Sequence, residues 1–161
     1  MRNILIPTDF NVASFDCFPA ICEQQHQEDL NFIFVHMFKL SDSITDLLML
    51  SRRSREFEQV SDEFYEKADE MKLSFPQIKT IKIEFLYGTT LAMFRDFLEF
   101  NAINYVLEPK CCFLDKIHKA SIDPLVLIEK SGLPMLTIKK EVDNQQSAIR
   151  NMIVQEELVE A

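Results

Sequence analysis

Glycine is nearly missing from this chain: Gly88 and Gly132 are the only two in 161 residues. A backbone that must approach an anion closely, or take unusual dihedrals cheaply, relies on glycine. From Thr89 to Ser131 there is none, which argues against a glycine-built phosphate cradle in that stretch. Basic residues are also in short supply, 17 Lys and Arg against 26 Asp and Glu, for a net charge of −9. A field of that sign opposes attraction to a phosphate backbone, so nucleic acid is not an expected partner. No apolar run approaches the roughly 18 residues of a membrane span. Met1-Arg2 leads straight into strand-like residues without the apolar core of a secretory signal, and a cytoplasmic location is the expectation. The four cysteines, Cys17, Cys22, Cys111 and Cys112, lack a CxxC spacing and read as free thiols in a reducing compartment. No G-x-S-x-G turn, internal repeat or low-complexity tract is present.

What is there is a regular alternation. A chain of 161 residues suits one domain and buries about 68–70% of its unfolded surface. Ile4-Leu5-Ile6 is a continuous apolar run stopped by Pro7, as expected of a strand buried on both faces. After Ser14, a candidate N-cap, the segment Phe15 to Gln27 carries Phe15, Phe18, Ile21 and Cys22 on one helical face. Pro19 either starts that helix late or bends it. Asn31 to Phe38 is a second interior strand. Spacings of three and four from Asp42 to Ser74 predict helix, with a joint at Ser51 to Arg55 and a stop at Pro76. Thr80 to Leu86 alternates Ile81, Ile83 and Phe85 with Lys82 and Glu84, the pattern of an edge strand with one wet face. Thr90 caps a helix to about Asn101, and Asn104 to Leu107 is a short fourth strand. The irregular stretch Glu108 to Ile122 includes an expected helical turn over Leu114 to Lys119. Asp123-Pro124 and Gly132 bracket a last helix, and Leu133 to Lys139 supplies a fifth strand. The order β-α-β-α-β-α-β-α-β is that of a doubly wound parallel sheet.

In such sheets ligands sit outside the carboxyl ends of the strands, so Asp9, just past a central strand, stands where a binding residue belongs. Ile4-Leu5-Ile6-Pro7-Thr8-Asp9-Phe10 followed by Ser14 resembles the opening of the universal stress protein family. Gly88 falls where that family has a glycine after its third strand, and Pro134-Met135-Leu136-Thr137-Ile138 is similar to its Pro-Val-Leu-Val-Val ending. The likeness covers about residues 3 to 139. It implies a three-layer α/β/α sandwich, Rossmann-like, with a five-stranded parallel sheet of order 3-2-1-4-5. Residues 1–140 would form this domain and 141–161 an acidic tail.

Nucleotide-binding members carry Gly-x2-Gly-x9-Gly-Ser/Thr after strand four. If Ala120-Ser121 is taken as the Gly-Ser pair, the earlier glycines fall on Leu107 and Lys110; a shift of one puts them on Glu108 and Cys111. Both registers fail. Glu108 sets a repelling charge at the strand-four exit, and Pro109 removes a donor. In favour of a nucleotide, Asp9 matches the family residue that contacts adenosine, Ser121 offers a hydroxyl, and Lys110, Lys116 and Lys119 follow the loop. Should ATP or AMP bind, Asp9, Met37, Lys110 and Ser121 are the candidate contacts. The preferred reading treats the lysines as a solvated basic patch and expects no cofactor held tightly, with the crevice left for another small ligand.

Other constellations weigh less. Cys111-Cys112 near His118 admits a redox thiol, against one buried and one incidental cysteine. The spacing for a metal site is lacking. His36, inside the second strand, is expected as a hydrogen-bonded core histidine. Asp62, Glu63, Glu66, Asp69 and Glu70 line a wet helix face, so no catalytic pair stands out. Ala148, Ile149, Met152, Ile153, Leu158 and Val159 suggest an amphipathic tail helix from about Ser147. The resemblance implies a homodimer through the fifth strand, Met135 to Ile138; the tail, an addition to the family pattern, is expected to cover the seam. The function expected is that of a stress-response binding or regulatory module without tight ATP binding. The alternative is a nucleotide-binding form with at most slow hydrolysis.

Overall fold

In the computed structural model of the chain, residues 1–39, 60–117 and 120–138 are described. The strands are β1 (Arg2–Pro7), β2 (Leu30–Phe38), β3 (Ile78–Tyr87), β4 (Tyr105–Leu107) and β5 (Met135–Leu136). The helices are α1 (Phe18–Gln24), α2 (Asp62–Ser74), α3 (Leu91–Phe100) and α4 (Leu125–Ser131). The pairings among these five strands are parallel and the sheet order is β3-β2-β1-β4-β5. The doubly wound sheet expected from the sequence is the fold observed, with the third strand at an edge.

The continuous apolar runs of β1 and β2 are explained by burial on both faces. Ile4, Ile6, Phe32 and Phe34 face one layer with α1 and α2; Leu5, Ile33, Val35 and Met37 face the other with α3 and α4. Phenylalanine dominates the first layer. Phe34 is fully buried, with ring centroids 5.2 Å from Phe15, 5.8 Å from Phe18 and 5.0 Å from Phe64. Each such ring buries a large apolar area and adds edge or stacking contacts.

Polar residues at the starts of the strands form a cross-strand chain. Thr80 Oγ1 donates to Asn31 Oδ1 at 2.7 Å, Asn31 Nδ2 to Asn3 Oδ1 at 2.9 Å, and the Asn3 amide to Asn104 Oδ1 at 2.8 Å. Four strands are thereby tied in register at the end away from the crevice. Gly88, buried after β3, has φ +136° and donates to Phe38 O at 2.9 Å. An L-residue there is strained whatever space it finds.

Several local expectations are corrected. Ser14 is not an N-cap: the chain makes a 3-10 turn over Val12–Phe15, capped by Asn11, and α1 begins only at Phe18 with Pro19 in its first turn. The turn after β4 lies at Pro109–Cys111, not at Leu114 onward. Pro109 presets its dihedral, whereas the backbone donors of Asp115 and Ile117 are taken by side chains elsewhere. β5 pairs over two residues only, because its neighbour β4 ends at Leu107. The helix proposed from Asp42 is seen over Asp62–Ser74, capped by Ser61, and its first half, His118, Lys119 and the tail 141–161 fall outside the described residues.

Phe34→Ala should lower the unfolding free energy by about 3–5 kcal/mol in urea titration, the usual cost of a large core cavity. Gly88→Ala should cost about 1–3 kcal/mol, the range for a residue held in a disfavoured conformation.

Candidate functional site at the carboxyl end of the sheet

β1 ends at Pro7, which is buried, and the next three residues turn sharply. Phe10 has φ +64°, a rare value for a bulky residue, and its amide donates to Thr8 Oγ1 at 3.0 Å. The conformation is held by the Phe10 ring, packed 5.5 Å from Phe64 and 5.4 Å from Phe85. One consequence is that Asp9 is directed outward over the strand ends while Phe10 goes inward.

The Asp9 carboxylate is already engaged. Oδ1 accepts from the Asn11 amide at 2.9 Å and Oδ2 from the Asp115 amide at 3.2 Å. The Asp9 amide donates to Phe113 O at 2.8 Å. Residues 113–117, which follow β4, therefore lie as a strap across the exit of β1. Farther along, the Lys39 amide donates to Ala120 O at 2.7 Å and the Ile122 amide to Met37 O at 3.0 Å, and Phe38 and Ser121 form an antiparallel bridge. The segment after β4 is laid on the ends of both β1 and β2.

Beneath it Pro7, Thr8, Val35, His36, Met37 and Leu114, with Ile122 and Pro124, line a small cavity of about 10 Å³ that is partly open to solvent. That is the space for roughly one water molecule, far below a pocket of a few hundred Å³ for a nucleoside. His36 is 6% exposed and sits between two fixed partners, Thr8 O at 2.7 Å from Nδ1 and Ser121 Oγ at 2.7 Å from Nε2. Burial lowers its pKa below the ordinary histidine value; the Thr8 carbonyl and the Asp9 charge pull the other way and are outweighed. The ring is neutral at pH 7.

The four candidate contacts divide. Asp9, Met37 and Ser121 come together at the crevice, Met37 buried on the α3 and α4 side and Ser121 bonded to His36. Lys110 stands on the rim, 69% exposed, with Nζ 3.0 Å from Glu108 Oε1. The second oxygen, Glu108 Oε2, is buried without a hydrogen-bond partner among the described residues. The strand-four exit is thus marked by a carboxylate and a proline, and Lys110 is paired with that carboxylate. Phe113 is 40% exposed, while Leu114 beside it enters the lining. The His36–Ser121 contact joins residues 85 apart and no local pattern announces it. Ser14, taken for a cap, instead shares a 2.8 Å hydrogen bond with Thr8.

The cysteines are free thiols. Burial pushes Cys17 up to about 12 and Cys22 to about 11, and raises Cys112 as well, so these three stay protonated. Among the described residues no group of three or more His, Cys, Asp and Glu is arranged to hold a metal.

A doubly wound sheet with its crevice between the exits of β1 and β4 is the class of protein this geometry defines. Among solved structures, the chain is similar to universal stress protein UspA from Lactobacillus plantarum, at 18% identity over 86% of this chain and 97% of that one, TM-score 0.52. It is also similar to a hypothetical protein, PH0823, at 20% identity over 86% and 95%, TM-score 0.50. A universal stress protein family protein from Arabidopsis thaliana, solved with AMP bound, aligns more loosely, at 9% identity over 89% and 95% with a TM-score of 0.47. No protein-family model matches the sequence, and no curated protein does. The fold is that of the universal stress proteins, and the resemblance read in the opening residues is borne out at the level of fold.

Asp9→Ala should lower the unfolding free energy by about 1–2 kcal/mol in urea titration, since two amides lose a charged acceptor. Asp9→Asn, which keeps an acceptor oxygen, should cost less than half of that.

Proposed function

We propose that this chain is a universal-stress-like binding or regulatory module that does not hold ATP tightly. The observation that carries the reading is the occupied crevice: Asp9 spends both carboxylate oxygens on backbone amides, and the strap leaves about 10 Å³ beneath it. Three further features support it. Residues 89–131 contain no glycine, Glu108 sets negative charge where phosphates would lie, and Lys110 is paired with it. A module of this kind acts through its surface and its state of assembly. It is a homodimer in our reading, joined along the edge at Met135 to Ile138, where Met135 is 40% exposed, with the tail over the seam. Its setting is the cytoplasm; no helix among the described residues is long and apolar enough to cross a membrane.

Thermal unfolding with ATP or AMP at about millimolar concentration tests the central point. A ligand at about 100 times its Kd adds about 2.7 kcal/mol, which for a chain of this size raises Tm by about 5–10 °C. A rise under about 1 °C is expected for both nucleotides, and a shift in the larger range would favour a nucleotide-binding form using Asp9, Met37, Lys110 and Ser121. Sedimentation velocity at tens of micromolar should give a dimer; a monomer would remove that part of the proposal.

A further inference from the structure

The strap meets β1 in the pattern of a β-ladder. In a parallel pair, a residue donates its amide to the carbonyl one place before its neighbour and accepts from the amide one place after it. Asp9 does both for the strap. Its amide donates to Phe113 O at 2.8 Å, and its carboxylate Oδ2 accepts from the Asp115 amide at 3.2 Å, the side chain standing in for a main-chain carbonyl. Oδ1 is spent inside the turn on the Asn11 amide at 2.9 Å, which holds the carboxylate in position for this role. The residue between the two contacts is Leu114, and it lines the small cavity with Pro7, Val35 and Met37. A second station lies on β2. There the Lys39 amide donates to Ala120 O, the Ile122 amide donates to Met37 O, and Phe38 and Ser121 form an antiparallel bridge.

What the crevice holds is therefore a stretch of peptide, recognised through its main chain and one apolar side chain. Recognition of that kind tolerates many sequences, because every residue but proline offers the same main-chain donor and acceptor. The hold on the strap is light. Phe113, Asp115 and Lys116 are exposed and Leu114 and Ile117 half-buried, the profile of a segment that opens at less cost than the core. A cavity of about 10 Å³ is far too small for a purine, whereas an extended segment needs no deep pocket. Charge narrows the choice further. Asp9 and Glu108 stand at the strand exits of a chain of net charge −9, and the buried Glu108 Oε2 has no hydrogen-bond partner among the described residues. An acidic segment is disfavoured there and a neutral or basic one is not.

We propose that the exits of β1 and β2 form a binding site for an extended, neutral or basic peptide segment of a partner protein, with an apolar residue at the place of Leu114, and that the strap occupies this site in cis until such a segment displaces it. The inference deepens the reading of a binding module and rests on it. Being tethered, the strap competes at an effective concentration on the order of millimolar, so an incoming peptide binds weakly until the strap is loosened.

A synthetic peptide with the sequence Phe113 to Ile122, titrated into the full chain and followed by NMR at the Asp9 and Asn11 amides, tests this. Leu114→Ala and Asp115→Pro each remove one strap contact and leave the site itself intact, and each should bind the peptide about tenfold tighter than the natural chain does. The same peptide carrying Lys116→Glu should bind about two- to fivefold more weakly at low salt. If both variants lose the fold, as the Leu5 and Ile33 amides would report, the natural chain decides: peptide at about millimolar concentration should move the Asp9 amide. Equal affinity of the natural chain and a folded variant, an Asp9 amide that does not respond, an acidic peptide bound as tightly, or an Asp9 response to ATP in the loosened variants would each overturn the proposal. The two readings fail separately, because tight ATP binding by the natural chain sinks the earlier one and absence of peptide binding sinks this one alone.

Discussion

The hydrogen bond from the Asp9 amide to the Phe113 carbonyl, 2.8 Å long, joins the exits of β1 and β4. In a doubly wound sheet these two strands flank the place where the winding reverses and a ligand is ordinarily received. Closing that place with the chain's own backbone satisfies amides and a carboxylate that would otherwise face water or a ligand. The scarcity of glycine makes this outcome natural. No glycine lies between Leu107 and Ser121 to let the backbone approach a ligand cheaply, and Pro109 turns the chain at once after β4. What remains is a strap whose donors find Asp9 and Ser121 and whose Leu114 lines the small cavity below.

Energy for holding the strap comes from below. The Phe10, Phe15, Phe34 and Phe64 rings form one packed body under the turn after β1, and that packing keeps Phe10 at a positive φ. A strained residue beside a crevice carboxylate points to a position set by the surrounding structure and not by local preference. Polar side chains serve the two ends of the sheet differently. At the far end the chain from Thr80 through Asn31 and Asn3 to Asn104 fixes register. At the crevice end, Thr8, Ser14, His36 and Ser121 tie the sheet to its cover.

Much of the fold was legible because the relevant signals are local. Ile4-Leu5-Ile6 and Phe32 to Phe38 announce doubly buried strands by lacking alternation, and the alternation around Lys82 and Glu84 announces an edge. Thr90 caps α3 through its side chain at 3.3 Å, and Gly132 ends α4 at φ +72°, both as their positions suggest. The site was legible in outline only. Asp9 is found by its place after a central strand, yet its partners lie near in sequence at Asn11 and more than a hundred residues away at Asp115. His36 reads as a core histidine, but that its second nitrogen would meet Ser121 follows from how the segment after β4 folds back, which no periodicity encodes. Ser14 was misjudged because a serine ahead of apolar residues looks like a cap whether it binds an amide or a buried threonine.

The account stands on the crevice being filled by this chain itself. Scalar coupling across the hydrogen bond between the Asp9 amide nitrogen and the Phe113 carbonyl carbon, measured by NMR near neutral pH, reads that contact directly. The coupling should be present and should persist in excess ATP. Its absence in the free protein, or its loss on adding ATP, would contradict the account.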